Sequence, residues 1–385
     1  MYTLMSMKKS VLCFVFAILA ATTAATGTQA ASQTPQPPAD GSQQFAELGV
    51  CKLVSGQEIE NCRLGYRVWG KLNGQHSNAV LFPTWFSGTS ANLADSIGAN
   101  GLVDPAKYFV IAVDALGDGV SSSPSNSATQ HGPNFPAITI QDMVNSEYRL
   151  VTETLHLTHL HAVMGISMGG IQTFEWMVDY PDFMDEAIPI VGSPRPNSRD
   201  LLLYRADMDA VKSDPGWKDG RYTQAPAAPL AQLIWQLNLT TPANFARTQS
   251  LAAFDKEYTE WRGSGILPFD AHDWLAQLDA VVHLDVSHGG SMEDAARRVK
   301  AKVLIVPSAQ DHMVNPGPAL DFARLTGAKT LVLQGDCGHL AVGCDATTLN
   351  PAVRAFLDAQ QAAIRVPGTG IPDPVSPHIL TVSTP

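Results

Sequence analysis

Gly165-Ile166-Ser167-Met168-Gly169 sets one hydroxyl between two glycines in a G-x-S-x-G pattern. The bare pattern is common, so its surroundings carry the meaning. An apolar run, His161–Ile166, leads into it, and Met168–Tyr180 behind it has helical length and stops before Pro181. A serine on so tight a strand-to-helix turn is lifted clear of the sheet, and the residues two before and two after it must be small. The helix start beneath the hydroxyl favours negative charge. The Met168 N–H then faces an oxyanion developing on an attacked carbonyl. This is the chemistry of a nucleophile in acyl transfer; the bland alternative is a structural Gly-Ser turn.

A serine hydroxyl needs a base, and the base an orienting carboxylate. Asp311 lies just beyond the apolar run Val303–Pro307, in SAQDHM. His339 lies just beyond Thr330–Leu333, in GDCGHL. Asp336 and Asp345 flank the histidine too closely to orient it from below. His312 and His288 are the other candidate bases. A second oxyanion donor is expected from the loop after the run Asn78–Thr84, with Phe86 as the candidate and Trp85 beside it as a substrate contact. His156, His159 and His161 (HLTHLH) look metal-like, but they straddle a helix end and a strand start and should diverge. No metal site and no cofactor is expected.

These residues need a frame. Strands are predicted at Asn78–Thr84, Tyr108–Asp114, His161–Ile166, Ala187–Val191, Val303–Pro307 and Thr330–Leu333. Thr139-Ile140-Gln141-Asp142 resembles a capping box, and Ile140, Met143, Val144, Tyr148, Val151 and Leu155 follow at helical spacing. A closing helix is expected over Leu349–Ala363. Alternating strands and helices predict a mostly parallel sheet covered on both faces. With Ser, Asp and His in that chain order at strand ends, the expected class is α/β, an α/β-hydrolase fold. The rhythm breaks between Ser193 and Lys300, which reads as a helical lid insertion. The expected divisions are a core over 46–193 and 300–365, a lid over 194–299 and an irregular tail over 366–385.

The N-terminus reads separately. Lys8 and Lys9 precede Val11–Ala21, and small residues run to Ala30. Eleven apolar residues span about 16 Å, half a bilayer core, so a secretory signal over 1–30, cleaved near Ala30, is expected rather than an anchor. A flexible lead-in over 31–45 follows. The expected location is periplasmic or secreted, with no membrane contact after cleavage. Four cysteines then remain, and an even count in an exported chain suggests disulfides. Short-range pairing, Cys51–Cys62 and Cys337–Cys344, is preferred among the three connectivities. A Cys337–Cys344 bond would clamp the loop carrying His339. The formal charge of −11 becomes −13 once the two signal lysines are lost, which excludes a nucleic-acid binder built on a basic face.

The chain resembles the homoserine O-acetyltransferase family of the α/β-hydrolase superfamily. The resemblance is carried by LGYRVWGKLN (64–73), YFVIAVDALGDG (108–119), FPAITIQDMV (135–144), GISMGGIQTFEW (165–176) and AKVLIVPSAQDHMVNP (301–316), and by AVKSDPGWKDG (210–220) and FDAHDWLAQLD (269–279) in the insertion. It implies Ser167 as nucleophile, Asp311 as acid and His339 as base. It also implies a helical lid forming a tunnel over the serine and a homodimer made through that lid. Three positions depart from the family pattern. Met208 stands where an arginine holds the amino acid's carboxylate, with Arg205 about one turn earlier. Leu340 replaces the aspartate after the histidine, and Pro268 replaces an arginine. Each change removes a polar partner that a zwitterionic substrate needs in a dry pocket.

The expectation is an exported serine hydrolase acting on a small-molecule ester or related acyl substrate. An exported acyl-enzyme meets abundant water and little acyl-CoA. The rivals are an acyltransferase handing the acyl group to a hydroxyl, and a non-catalytic binding protein on a hydrolase fold.

Overall fold

The computed structural model describes residues 37–364. The expected signal over 1–30, residues 31–36 of the lead-in and the tail over 366–385 lie outside the described residues. The chain opens with β1 (Gln44–Lys52) and β2 (Glu58–Trp69), followed by β3 (Ala79–Pro83) and β4 (Phe109–Val113). Helix α1 (Ile140–Arg149), β5 (Leu160–Ile166), α2 (Met168–Asp179) and β6 (Met184–Ile190) complete the first part. The insertion supplies α3 (Ser198–Lys212), α4 (Pro229–Leu239), α5 (Pro242–Thr248), α6 (Leu251–Ser264), α7 (Ala271–Val282) and α8 (Met292–Arg298). The chain then returns with β7 (Lys302–Ile305), α9 (Pro316–Thr326), β8 (Lys329–Thr330), α10 (Ala341–Cys344) and α11 (Ala346–Ile364).

The eight strands form one sheet in the order β1-β2-β4-β3-β5-β6-β7-β8. All neighbours from β4 to β8 are parallel, and β2 joins β1 and β4 antiparallel. This is the α/β-hydrolase fold. In β4, Phe109, Ile111 and Val113 enter one apolar core while Val110 and Ala112 enter the other. The first core also takes Ile140 and Met143 of α1, Phe174 and Met177 of α2 and Phe322 of α9, and the second takes Leu349, Val353 and Leu357 of α11. Both faces are therefore covered, and the parallel strands are apolar throughout, as burial on two sides requires.

The sequence reading did not assign the β1–β2 hairpin. Its ladder slips twice, between Glu47 and Gly49 and between Gly49 and Cys51. These irregularities break the alternation that marks a strand in sequence. Cys51 and Cys62 are bonded across this hairpin. The α1 capping box is formed: Thr139 Oγ1 accepts from Asp142 N and the Asp142 carboxylate accepts from Thr139 N. The helical spacing that continues to Leu155 is not all α-helix, because residues 150–154 form a single wide π turn.

Candidate active site

Ser167 sits between the end of β5 and the first residue of α2, at φ 58° and ψ −120°. This backbone conformation is costly for a residue with a Cβ. The fold holds it there by close approach. The Ser167 N–H donates to Ile190 O at 2.9 Å, and Ile171 N donates to Ser167 O at 2.8 Å. A Cβ on Gly165 would fall 2.2 Å from the Gly169 carbonyl, and one on Gly169 would fall 2.4 Å from Pro83 O on β3. Gly192 is as constrained, since its Cβ would meet the Gly170 carbonyl carbon at 2.6 Å. The four glycines 165, 169, 170 and 192 let two strands and a helix start meet at one point.

His339 lies in a short turn after β8, 10% exposed, with Nε2 2.8 Å from Ser167 Oγ. Its Nδ1 is 2.7 Å from Asp311 Oδ2. Asp311 is buried, and its Oδ1 accepts from Met313 N at 2.8 Å and Val314 N at 2.9 Å. One carboxylate oxygen is thus held by two backbone donors, and the other faces the imidazole. Such an arrangement puts the imidazole proton on Nδ1 and leaves the Nε2 lone pair facing the hydroxyl. Cys337 and Cys344 are bonded on either side of His339.

The loop after β3 is pinned on both sides of Phe86. Gln172 Nε2, on α2, donates to Thr84 O at 3.0 Å, and Ser87 N donates to Gln277 Oε1, on α7, at 2.9 Å. Buried Asp114 holds the loop's far end, accepting from Ser90 Oγ at 2.8 Å. At the first position of α2 the Met168 N–H has no intrahelical acceptor. Among the described residues neither it nor the Phe86 N–H donates a hydrogen bond within the chain.

Above the serine lies a cavity of about 310 Å³, counted with its open mouth. Phe86, Met168, Ile171, Met313 and Val314 of the core line it together with Tyr204, Trp235, Leu278 and Val281 of the insertion. Phe86, Trp235 and Trp274 pack ring against ring at 4.6–5.3 Å. Tyr204 is tied down by its hydroxyl, which donates to Met313 O at 2.7 Å. Trp274 Nε1 donates to Asp207 Oδ1 at 2.7 Å. Burial pushes that carboxyl up to about 7.

Ser167, His339 and Asp311 are therefore brought together, with Met168 and Phe86 beside them. Arg205, Met208, Leu340 and Trp85 are not among the cavity-lining residues. Arg205 and Leu340 are exposed, Met208 packs against the first core and Trp85 against the second. The alternative partners are engaged elsewhere. Asp336 pairs with Arg247, and His288 meets Glu175 and Asp179. His159 faces Asp185, while His161 is buried against Leu357 O. The reading missed Tyr204, Trp235, Leu278 and Val281. Nothing in the spacing of the insertion's Trp and Leu residues tells which of them faces the serine.

The alpha/beta hydrolase fold family matches residues 80–343. The chain is 33% identical over 322 residues to an ethyl acetate hydrolase of Pseudomonas veronii, covering 80% of this chain and 92% of that one. The solved acetyl esterase MekB superposes with a TM-score of 0.77 at 30% identity, covering 83% of this chain and 97% of its own. Homoserine O-acetyltransferase from Bacillus anthracis superposes at 0.75 and 25% identity, covering 82% and 97%. The chain belongs to the α/β-hydrolase fold family, within the group that holds these esterases and homoserine O-acetyltransferases, and is an enzyme of the hydrolase or acyltransferase kind.

Proposed function

We propose that the chain is an exported serine hydrolase that cleaves a short-chain ester through an acyl-enzyme on Ser167. The observation that carries this reading is the hydrogen-bonded series Ser167 Oγ, His339 Nε2 and Nδ1, Asp311 Oδ2, at 2.8 and 2.7 Å, on the floor of an apolar cavity. His339 Nε2 takes the Ser167 proton as Oγ bonds to the acyl carbon. The oxyanion is met by the N–H groups of Met168 and Phe86. His339 then gives its proton to the departing alcohol oxygen as the acyl–oxygen bond breaks. Water repeats the cycle, losing a proton to His339, releasing the acid and restoring the serine hydroxyl.

The cavity supports an uncharged ester. Apart from the His339 imidazole, the lining holds no Asp, Glu, Lys, Arg or His side chain. A bound ammonium or carboxylate would lose its water without a partner, at a cost of several kcal/mol. The likeness to an ethyl acetate hydrolase and an acetyl esterase favours a short acyl group. Acyl transfer is the second reading, favoured by the likeness to homoserine O-acetyltransferase. Export rests on Lys8, Lys9 and the apolar run Val11–Ala21.

Assay of purified protein against p-nitrophenyl acetate, butyrate and dodecanoate, and against acetyl-CoA with homoserine, tests the reading. Hydrolysis of the two short esters, lost in Ser167→Ala, with no homoserine-dependent CoA release, is expected. Efficient CoA release would replace hydrolysis by transfer.

A further inference from the structure

The cluster formed by Glu175, Asp179 and His288 lies outside the site above. Glu175 and Asp179 stand one turn apart on α2, about 12 and 18 Å along the helix from Ser167 at 1.5 Å per residue. His288 comes from the loop between α7 and α8. One ligand atom from each residue lies within 4.8 Å of the other two. His288 Nε2 is 2.9 Å from Asp179 Oδ1 and 3.2 Å from Glu175 Oε1. Ligands about 2.0–2.1 Å from a tetrahedral ion sit about 3.3 Å apart, so these separations are already close to those of a coordination shell.

Hydrogen bonding alone serves the cluster poorly. Glu175 is 1% exposed, and among the described residues its Oε1, which faces His288, has no hydrogen-bond partner. A single ring N–H cannot serve two carboxylates, and the Gln141 amide nitrogen also faces His288 Nε2, at 3.4 Å. Arg298, the nearby cation, donates to Val286 O rather than to either carboxylate. Burial and the neighbouring Asp179 push the Glu175 carboxyl well up. A bound cation reverses that penalty by drawing both carboxylates into their charged forms. The C-terminal end of α2 adds its own partial negative charge.

We propose that Glu175, Asp179 and His288 bind one divalent transition-metal cation of the zinc type. Water completes its shell, and the ion ties α2, the helix that Ser167 precedes, to the loop between α7 and α8 of the insertion. Two carboxylates and one imidazole suit such an ion better than calcium, which takes oxygen ligands alone. Gln141 Nε2 donates to Asp179 Oδ2 at 2.8 Å and orients that ligand from outside. The site is independent of the chemistry at Ser167.

The test uses the full chain, stripped with a chelator and dialysed, titrated with Zn²⁺ by calorimetry and checked by elemental analysis. One equivalent bound and a thermal midpoint about 4 °C higher at a hundredfold excess over Kd are expected. His288→Ala and, separately, Asp179→Asn should weaken binding at least tenfold while keeping the metal-free midpoint. Binding of no stoichiometric Zn²⁺ by the wild type overturns the proposal. So does binding that neither substitution changes.

Discussion

Asn at position 311 alters the site through one hydrogen bond. In the wild type, Asp311 Oδ1 accepts from Met313 N and Val314 N, at 2.8 and 2.9 Å, and Oδ2 faces His339 Nδ1 at 2.7 Å. An asparagine must keep its carbonyl oxygen on the two backbone donors, since turning the amide round would leave both unpaired in a buried place, at about 1–3 kcal/mol each. Its NH₂ then faces Nδ1, which must become the acceptor, so the ring proton moves to Nε2. Nε2 can now only donate to Ser167 Oγ and cannot take its proton. The expected loss is about 10⁴ in kcat, the size seen when the orienting carboxylate of a serine protease is made an amide. That is about 5.5 kcal/mol of transition-state stabilisation. The assay is kcat for p-nitrophenyl acetate, with the thermal midpoint of Asp311→Asn measured beside it. A folded Asp311→Asn retaining more than about a tenth of wild-type kcat would refute this reasoning.

Further outcomes follow from the packing. Gly169→Ala drives a Cβ to 2.4 Å from Pro83 O, a backbone atom that cannot yield, and should cost about 3 kcal/mol or more by denaturant titration. Removing the Cys337–Cys344 bond by paired serine substitution should lower kcat more than it raises KM, because that bond closes the loop carrying His339. The matching Cys51/Cys62 pair should lose comparable stability, about 2.5 kcal/mol, and leave kcat unchanged. Burial pushes Glu147 from 4.5 up to about 8, although Trp176 Nε1 donates to it. Its folded form stays protonated where the unfolded chain has ionised, so stability should fall by about 1.4 kcal/mol per pH unit between these values. Glu147→Gln, read by denaturant titration across pH 5–8, should remove that part of the slope.

Much of the frame was legible because its signals are local. The strand leading to Ser167, the glycines around it and the break before Pro181 all lie within residues 161–181, and each has a steric reason. Asp311 and His339 could be read because each follows an apolar strand in the chain order that the fold requires. The β1–β2 hairpin was missed because two register slips hide its alternation. The cavity's outer wall was missed for a different reason. Whether Trp235 or Trp261 faces the serine depends on how α4 and α6, both helices of the insertion, pack against the core. Only α4 brings its ring to Phe86. The Glu175, Asp179 and His288 cluster is likewise a product of packing, bringing His288 to two carboxylates more than a hundred residues earlier in sequence.

In the proposed reaction Ser167 carries the acyl group. Wild-type protein mixed with p-nitrophenyl acetate and quenched in acid should gain the mass of one acetyl group, which peptide mass spectrometry should place on Ser167. His339→Ala should accumulate no such adduct on the same timescale. An acetyl group on another residue, or turnover at the wild-type rate by Ser167→Ala, would contradict the account.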